Sequence, residues 1–92
     1  MSELIRRHHT RIHTPEGLTY LAQTVAAKMP DDDEWEAWLE FHPADGRGPV
    51  LRTERETSQS SRDAIDVWAS GLESVYFEGA FARAHVIASR RH

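Results

Sequence analysis

Residues 35–42 show the clearest alternation of apolar and polar side chains in the chain. Every second residue is apolar, and most of the residues between them are acidic or polar. Because successive side chains of a strand point to opposite faces, this pattern predicts a β-strand with one buried face. Trp38 interrupts the polar face. It is either covered by the second predicted helix or exposed as a contact for a partner, and it is therefore our candidate interface residue.

A turn and a shorter strand follow. Residues 43–49 contain two prolines and two glycines, a composition typical of turns, and residues 50–53 are predicted to form the shorter strand. A hairpin of two strands is only marginally stable in water. A third strand or a packed helix is therefore needed to complete the layer.

The segment 18–28 is compatible with two structures. Its apolar residues recur at helical spacing, which gives an alternative in which residues 15–29 are helical and the order is helix, strand, strand, helix, helix. Residues such as Tyr20 favour a strand, and residues 14–17 have Pro second and Gly fourth, as in a type I turn. The need for a third strand decides the prediction. We expect 18–28 to pair antiparallel with 35–42.

The last third of the chain predicts two helices. Ser60 or Ser61 suits an N-cap, and Asp63 follows in the first turn, where the helix dipole favours an acid. Gly71 is a natural stop for this helix. Beyond it, apolar residues between 76 and 88 form one wide stripe, which indicates a second amphipathic helix. A short strand at the start of that segment is the alternative.

These elements predict an α+β fold, with a three-stranded antiparallel sheet followed by two C-terminal helices packed on one face. We expect a single small domain over residues 14–92, preceded by a flexible arm over residues 1–13 that carries three arginines and three histidines. One hydrophobic cluster should hold the domain together. Its predicted members are Trp35, Leu39, Phe41, Ile65, Trp68, Leu72, Phe77, Phe81 and Ala84.

A meander of three strands followed by a helix resembles the HicB-like antitoxin domains, which have a partial ribonuclease-H-like fold. This resemblance covers roughly residues 18–72. It is carried by Tyr20-Leu21-Ala22, the strand 35–41, the segment 41–46 and the helix start Ser61-Arg62-Asp63-Ala64. The family's Pro-Asp-Leu-Pro-Gly loop, its Gly-Asp-Thr run before the helix and its appended DNA-binding segment have no counterpart in this sequence. The resemblance implies a topology and an interaction role, and it transfers no catalytic residue.

The composition excludes several classes of function. The 92 residues suffice for one domain, and 39% apolar and 28% charged residues are ordinary for a soluble chain. The net charge of -4 excludes a wholly basic nucleic-acid binder, and the lack of Cys excludes thiolate metal sites and thiol nucleophiles. No apolar run approaches the roughly 20 residues that span a bilayer. We therefore expect a cytoplasmic protein with no membrane partner.

The polar stretch 54–62 is the best candidate for a binding site. It leads into a helix N-terminus, whose free N–H groups attract anions. The candidate residues for binding an anion or a partner are Arg52, Arg55, Thr57, Ser58, Ser60 and Arg62. Because no Gly-rich phosphate loop accompanies them, the alternative is a capped connection whose hydroxyls bond to nearby N–H groups.

Three further groups have simpler explanations. His9 and His13 could share a metal on a helix, but they lie in the expected flexible arm. The acidic run 31–34 lacks the alternating ligands of a calcium loop and indicates a solvated turn. The remaining acidic candidates for acid–base chemistry, Glu36, Glu40, Glu54 and Glu56, are expected to pair across strands with Arg52 and Arg55. We therefore predict no catalytic residue, metal or cofactor.

The sequence thus favours a non-enzymatic interaction or regulatory module. Its partner would be another protein or a second copy of the chain, since exposed edge strands invite pairing. The alternative is a protein that associates with nucleic acid through its Arg- and His-rich termini, and a small enzyme comes third. Steep salt dependence would indicate nucleic acid, and converging titratable groups in a pocket would indicate an enzyme.

Overall fold

The computed structural model describes residues 1–90 and shows an antiparallel sheet followed by two helices. The strands are β1 (Ser2–His13), β2 (Thr19–Lys28), β3 (Trp35–Pro43), β4 (Leu51–Arg52) and β5 (Thr57–Gln59), and the helices are α1 (Arg62–Ser70) and α2 (Ser74–Ser89). The first four strands are neighbours in chain order, and β5 pairs with β3 next to β4. The predicted α+β class, with two helices after the sheet, is confirmed.

Strand β2 forms where the strand interpretation placed it, and the helical alternative for residues 15–29 is wrong. It pairs with β3 in an unbroken register of nine residue pairs. The turn before it also closes as predicted, because the Gly17 N–H donates to the Thr14 carbonyl at 3.0 Å. Gly17 has a φ of +90°, a conformation that glycine adopts without strain.

The expectation of a flexible arm over residues 1–13 needs correction, because this segment is the edge strand β1, paired antiparallel with β2. Two polar residues of β1 contact side chains of the two helices. The Arg6 Nε donates to Asp66 on α1 at 2.9 Å, and the His8 ring packs against Phe77 of α2 at 4.6 Å between centroids. The free edge of β2 requires a pairing partner, and the basic segment supplies it.

Both helices cover the same face of the sheet, which we call the inner face. Directly opposed residues of paired strands have their side chains on one face. The inner-face residues in the middle of β2 and β3 are accordingly buried, while Lys28, Trp35 and Pro43 at the strand ends are less so. The buried ones are Tyr20, Ala22, Thr24, Ala26, Ala37, Leu39 and Phe41. Since α1 and α2 both pack on this side, no helix within residues 1–90 covers the opposite face.

The core is divided into two clusters, so the prediction of a single cluster is wrong. The larger lies under α2 and contains Ile12, Tyr20, Ala22, Leu39, Phe41, Leu51, Phe77, Ala80 and Ala84, with Leu72 and Phe81 partly buried beside it. The smaller lies under α1 and contains Ala26, Ala37 and Ile65, with Trp35 and Trp68 partly buried against it. Thr24 lies between the two on β2 and is fully buried with its hydroxyl bonded to His8, so a polar contact separates the apolar groups.

Helix α1 begins at the predicted cap. The Ser61 hydroxyl accepts a hydrogen bond from the Ala64 N–H at 3.0 Å. Ser61→Ala should therefore lower the free energy of unfolding by roughly 0.5–2 kcal/mol, as measured by urea denaturation. Ser60→Ala is the matched control and should change it by less, because Ser60 is exposed and the cap bond belongs to Ser61. Equal losses in the two variants would contradict the assignment of the cap.

Candidate interaction surface on the outer face of the sheet

The face of the sheet opposite the helices, which we call the outer face, carries the side chains that alternate with the core. Strand pairing places on it Ser2, Leu4, Arg7, Arg11 and His13 of β1, Thr19, Leu21, Gln23, Val25 and Ala27 of β2, Glu36, Trp38, Glu40 and His42 of β3, Arg52 of β4 and Ser58 of β5. The β2 column is apolar except for Gln23 and for Thr19 at its end. An ordinary solvated face of an antiparallel sheet would be polar at these positions.

Trp38 lies near the centre of the outer face, so the alternative in which the second predicted helix covers it is wrong. It is opposite Val25, which is only 6% exposed although it belongs to this face. The Arg52 guanidinium stacks over the indole at 4.4 Å from its centroid, a cation–π arrangement. The indole Nε1 donates to Glu40 at 3.1 Å, and the same carboxylate lies 3.1 Å from the His42 Nε2. Trp38 is therefore a partly exposed aromatic ring held in one orientation.

Charge on the outer face is arranged in columns. Arg7 and Arg11 form a basic column on β1, at one edge of the sheet. Glu36 and Glu40 form an acidic column on β3, with the apolar column of β2 between them. A shallow cavity of about 290 Å³ opens beside the basic column and is lined by Arg7, His8, His9, Arg11, Leu21, Ala22 and Gln23. The surface thus offers positive charge, apolar area and negative charge side by side.

The residues predicted for an anion or partner site are distributed over both sides of the sheet. Arg52 and Ser58 belong to the outer face. Arg62 lies on the helix side, where its Nε donates to Glu3 at 3.3 Å. The other three are Thr57, which is paired opposite the inner-face Ala37, and Arg55 and Ser60, which are exposed in the connections flanking β5. The structure therefore brings Arg52 and Ser58 to the face that holds Trp38 and does not gather the three arginines around one anion.

Sequence reasoning missed a polar cluster between α2 and the segment that joins β4 to β5. The Glu56 side chain is only 8% exposed and accepts hydrogen bonds from the Tyr76 hydroxyl and the Arg83 guanidinium. Burial, followed by the neighbouring Glu56 carboxylate, raises the pKa of Tyr76 to about 12. Tyr76 and Arg83 lie two turns apart on one side of α2, and this spacing was the available signal. Because Glu56 faces α2 while Glu40 lies on the outer face, these two acids do not form a pair for acid–base chemistry.

The candidate metal ligands are also placed apart. His9 and His13 lie on β1 and not on a helix, so the helical spacing that could have aligned them is absent. The acidic run 31–34 forms the exposed turn between β2 and β3, in which the Asp32 carboxylate accepts from the Glu34 N–H at 2.9 Å. In the part of the chain that the structure describes, no three His, Asp or Glu side chains converge as a metal site.

The sequence matches no protein-family model and no curated protein, and the structure matches no solved structure. Within residues 1–90, no helix combines the length and the apolar character needed to cross a bilayer. The outer face therefore has to be interpreted from its own chemistry.

Proposed function

We propose that the protein is a non-enzymatic interaction module that forms a homodimer through the outer face of its sheet. The observation that carries the proposal is the apolar centre of this face, where Trp38, Leu21 and Ala27 are partly exposed beside the buried Val25, with no helix over them. A contiguous apolar area rimmed by charge is typical of a protein contact surface. A Trp held in place by neighbouring side chains is also a common energetic anchor of such surfaces.

The charge columns favour a second copy of the chain as the occupant. The basic column of β1 and the acidic column of β3 lie on either side of β2. A two-fold axis parallel to β2 exchanges the two sides, so each basic column would face the partner's acidic column. Self-complementarity of this kind is what an interface related by two-fold symmetry requires.

The size of the face sets the expected strength of the dimer. Strands of about ten residues at 3.3 Å per residue, spaced about 4.8 Å apart, present roughly 500 Å² in plan across β1, β2 and β3. This area is at the low end for specific protein interfaces. We therefore expect a dimer that forms at micromolar or higher concentration and dissociates on dilution.

Two further considerations bear on the role. The order of strands and helices that resembles HicB-like antitoxin domains supports an interaction or regulatory role. The alternative, association with nucleic acid, would rely on Arg7, Arg11 and the exposed Arg90 at the other terminus, because Arg6 is bonded to Asp66. Arg91, which also belonged to that expectation, lies outside the described residues. Binding to nucleic acid would weaken steeply as salt rises.

Replacing Trp38 should abolish most of the self-association. Trp38→Lys removes the central aromatic ring and places a charge in the interface, so the dimer dissociation constant should rise at least about tenfold, as measured by sedimentation equilibrium. Val67→Lys is the matched control, because Val67 is 72% exposed on α1, away from the outer face, and this variant should dimerise like the wild type.

Two results would contradict the proposal. One is a wild-type chain that stays monomeric up to millimolar concentration, and the other is a Trp38→Lys variant that associates as tightly as the wild type. If the monomeric chain instead bound a single-stranded oligonucleotide with strong salt dependence, the nucleic-acid alternative would replace the homodimer.

A further inference from the structure

We infer that in the dimer strand β1 of one copy lies across β3 of the other, with Arg7 of each copy facing Glu40 of its partner. This inference rests on the proposed homodimer and specifies the orientation of its two copies. It follows from the register of three adjacent strands and from where their charges lie.

A level of the sheet is a row of residues paired directly across neighbouring strands. One level contains Arg7, Gln23 and Glu40. Arg7 pairs with Gln23 across β1 and β2, and Gln23 pairs with Glu40 across β2 and β3. The two charged residues are thus displaced by equal distances on either side of β2. A two-fold axis parallel to β2 keeps this level and exchanges the sides, so Arg7 of one copy comes over Glu40 of the other, twice in each dimer.

The next level along the sheet fits the same arrangement. Leu4 pairs with Val25, and Val25 pairs with Trp38. The same axis therefore places Leu4, which is 38% exposed, over the partner's Trp38, and it runs past Val25, which is only 6% exposed. An exposed leucine and a partly exposed tryptophan would cover each other beside the charge pair.

Charge argues against the other symmetric orientation. An axis running across the strands would lay each β1 over the partner's β1 and each β3 over the partner's β3. Arg7 and Arg11 would then face a second basic column, and Glu36 and Glu40 a second acidic one. Like charges brought together in an interface are strongly unfavourable. Of these two axes, the one parallel to β2 gives opposite charges at this level.

The side chains have the chemistry that this contact needs. Arg7 is exposed, and none of the ion pairs formed within residues 1–90 includes it. Glu40 already accepts from Trp38 and lies beside His42, but each carboxylate oxygen can accept more than one hydrogen bond. Packed sheets lie about 10 Å apart, a gap that an arginine and a glutamate pointing at each other can bridge as a charge-assisted pair.

A charge swap tests this register. Arg7→Glu and Glu40→Arg should each raise the dimer dissociation constant by about tenfold or more, because each brings like charges together. The double variant restores opposite charges and should return to within about threefold of the wild type. Arg47→Glu combined with Glu40→Arg has the same net charge as the swap, but Arg47 lies in the exposed turn after β3, so this control should remain as weak as Glu40→Arg alone.

The outcomes separate the register from the dimer itself. If the wild type dimerises through Trp38 but the losses of dimer affinity in the two single variants simply add in the double variant, the register is wrong and the homodimer stands. A wild type that never dimerises would overturn both. If Glu40→Arg does not fold, Arg7→Gln, Glu40→Gln and their combination provide the same comparison. The register then requires that the double variant lose little more dimer affinity than either single variant. Additive losses of affinity would overturn the register.

Discussion

Replacing Phe41 by Ala is expected to lower the free energy of unfolding by about 3–5 kcal/mol, the usual cost of removing a fully buried phenyl ring. Phe41 is 0% exposed in the larger core cluster. It lies opposite Ala22 of β2 and Leu51 of β4, and its ring meets that of Phe81 edge to face at 5.3 Å between centroids. Because small domains are stable by only about 5–15 kcal/mol, this change would remove a large share of the stability.

Urea denaturation measures this loss, and Trp68→Ala is the informative comparison. Trp68 is a larger residue, and the expectation of a single core would assign it a similar cost of about 3–5 kcal/mol. In the structure it is only partly buried beside the smaller cluster, with Tyr76 at 6.1 Å between ring centroids. Phe41→Ala should therefore cost more than Trp68→Ala. A loss below about 1 kcal/mol for Phe41→Ala would contradict the described core.

Acidification from pH 6.5 to pH 4 is expected to destabilise the protein through His8. Burial, and then the Arg6 charge, lower the pKa of His8 from 6.5 to about 4, while its Nε2 lies 2.7 Å from the Thr24 hydroxyl. The ring is thus neutral in the folded protein across this window and becomes protonated in the unfolded chain. The unfolded state binds more protons, so stability is full above pH 6.5 and falls as the pH approaches 4.

The size of this effect is limited by the partial exposure of the ring, and we expect about 2 kcal/mol over the whole window. Carboxyl groups also titrate near pH 4, so the test is the difference in unfolding free energy between the wild type and His8→Gln, measured at concentrations where the chain is monomeric. This difference should change with pH between 6.5 and 4 and stay level above 7. His9→Gln removes an exposed imidazole and should follow the wild type. A pH-independent difference for His8→Gln would contradict the role of His8.

The fold was predictable where local patterns are strong and agree with the packing. Strand β3 follows from its alternation, and α1 from its cap at Ser61. Strand β1 was missed because basic residues occupy inner-face positions such as Arg6 and His8, and because two register shifts interrupt its period. Only the partners of these residues on α1 and α2, about 60 or more positions later in the chain, explain why such a sequence forms a strand.

The sequence alone predicted only part of the candidate surface. Trp38 was identified because it breaks the polar face of its own strand. Arg7 and Leu4 could not be connected to it, because that requires the register of β1 on β2 and of β2 on β3. The predicted anion site illustrates a different limit, because its residues are near one another in the sequence but are not gathered in the structure. Arg52 and Arg62 are close in sequence, but the chain passes from the outer face to the helix side between them, so proximity in sequence did not bring them together.

The most direct measurement of the proposed dimer is an isotope-filtered NOE experiment on a mixture of labelled and unlabelled chains, which records only contacts between copies. The outer-face dimer should give intermolecular NOEs between the Trp38 indole protons and the Leu4 methyl groups, and between the two copies of Leu21. The exposed methyl groups of Val75 and Val86 on α2 should give none. Intermolecular NOEs confined to Val75 and Val86, or none at a concentration where the chain sediments as a dimer, would contradict the outer face as the interface.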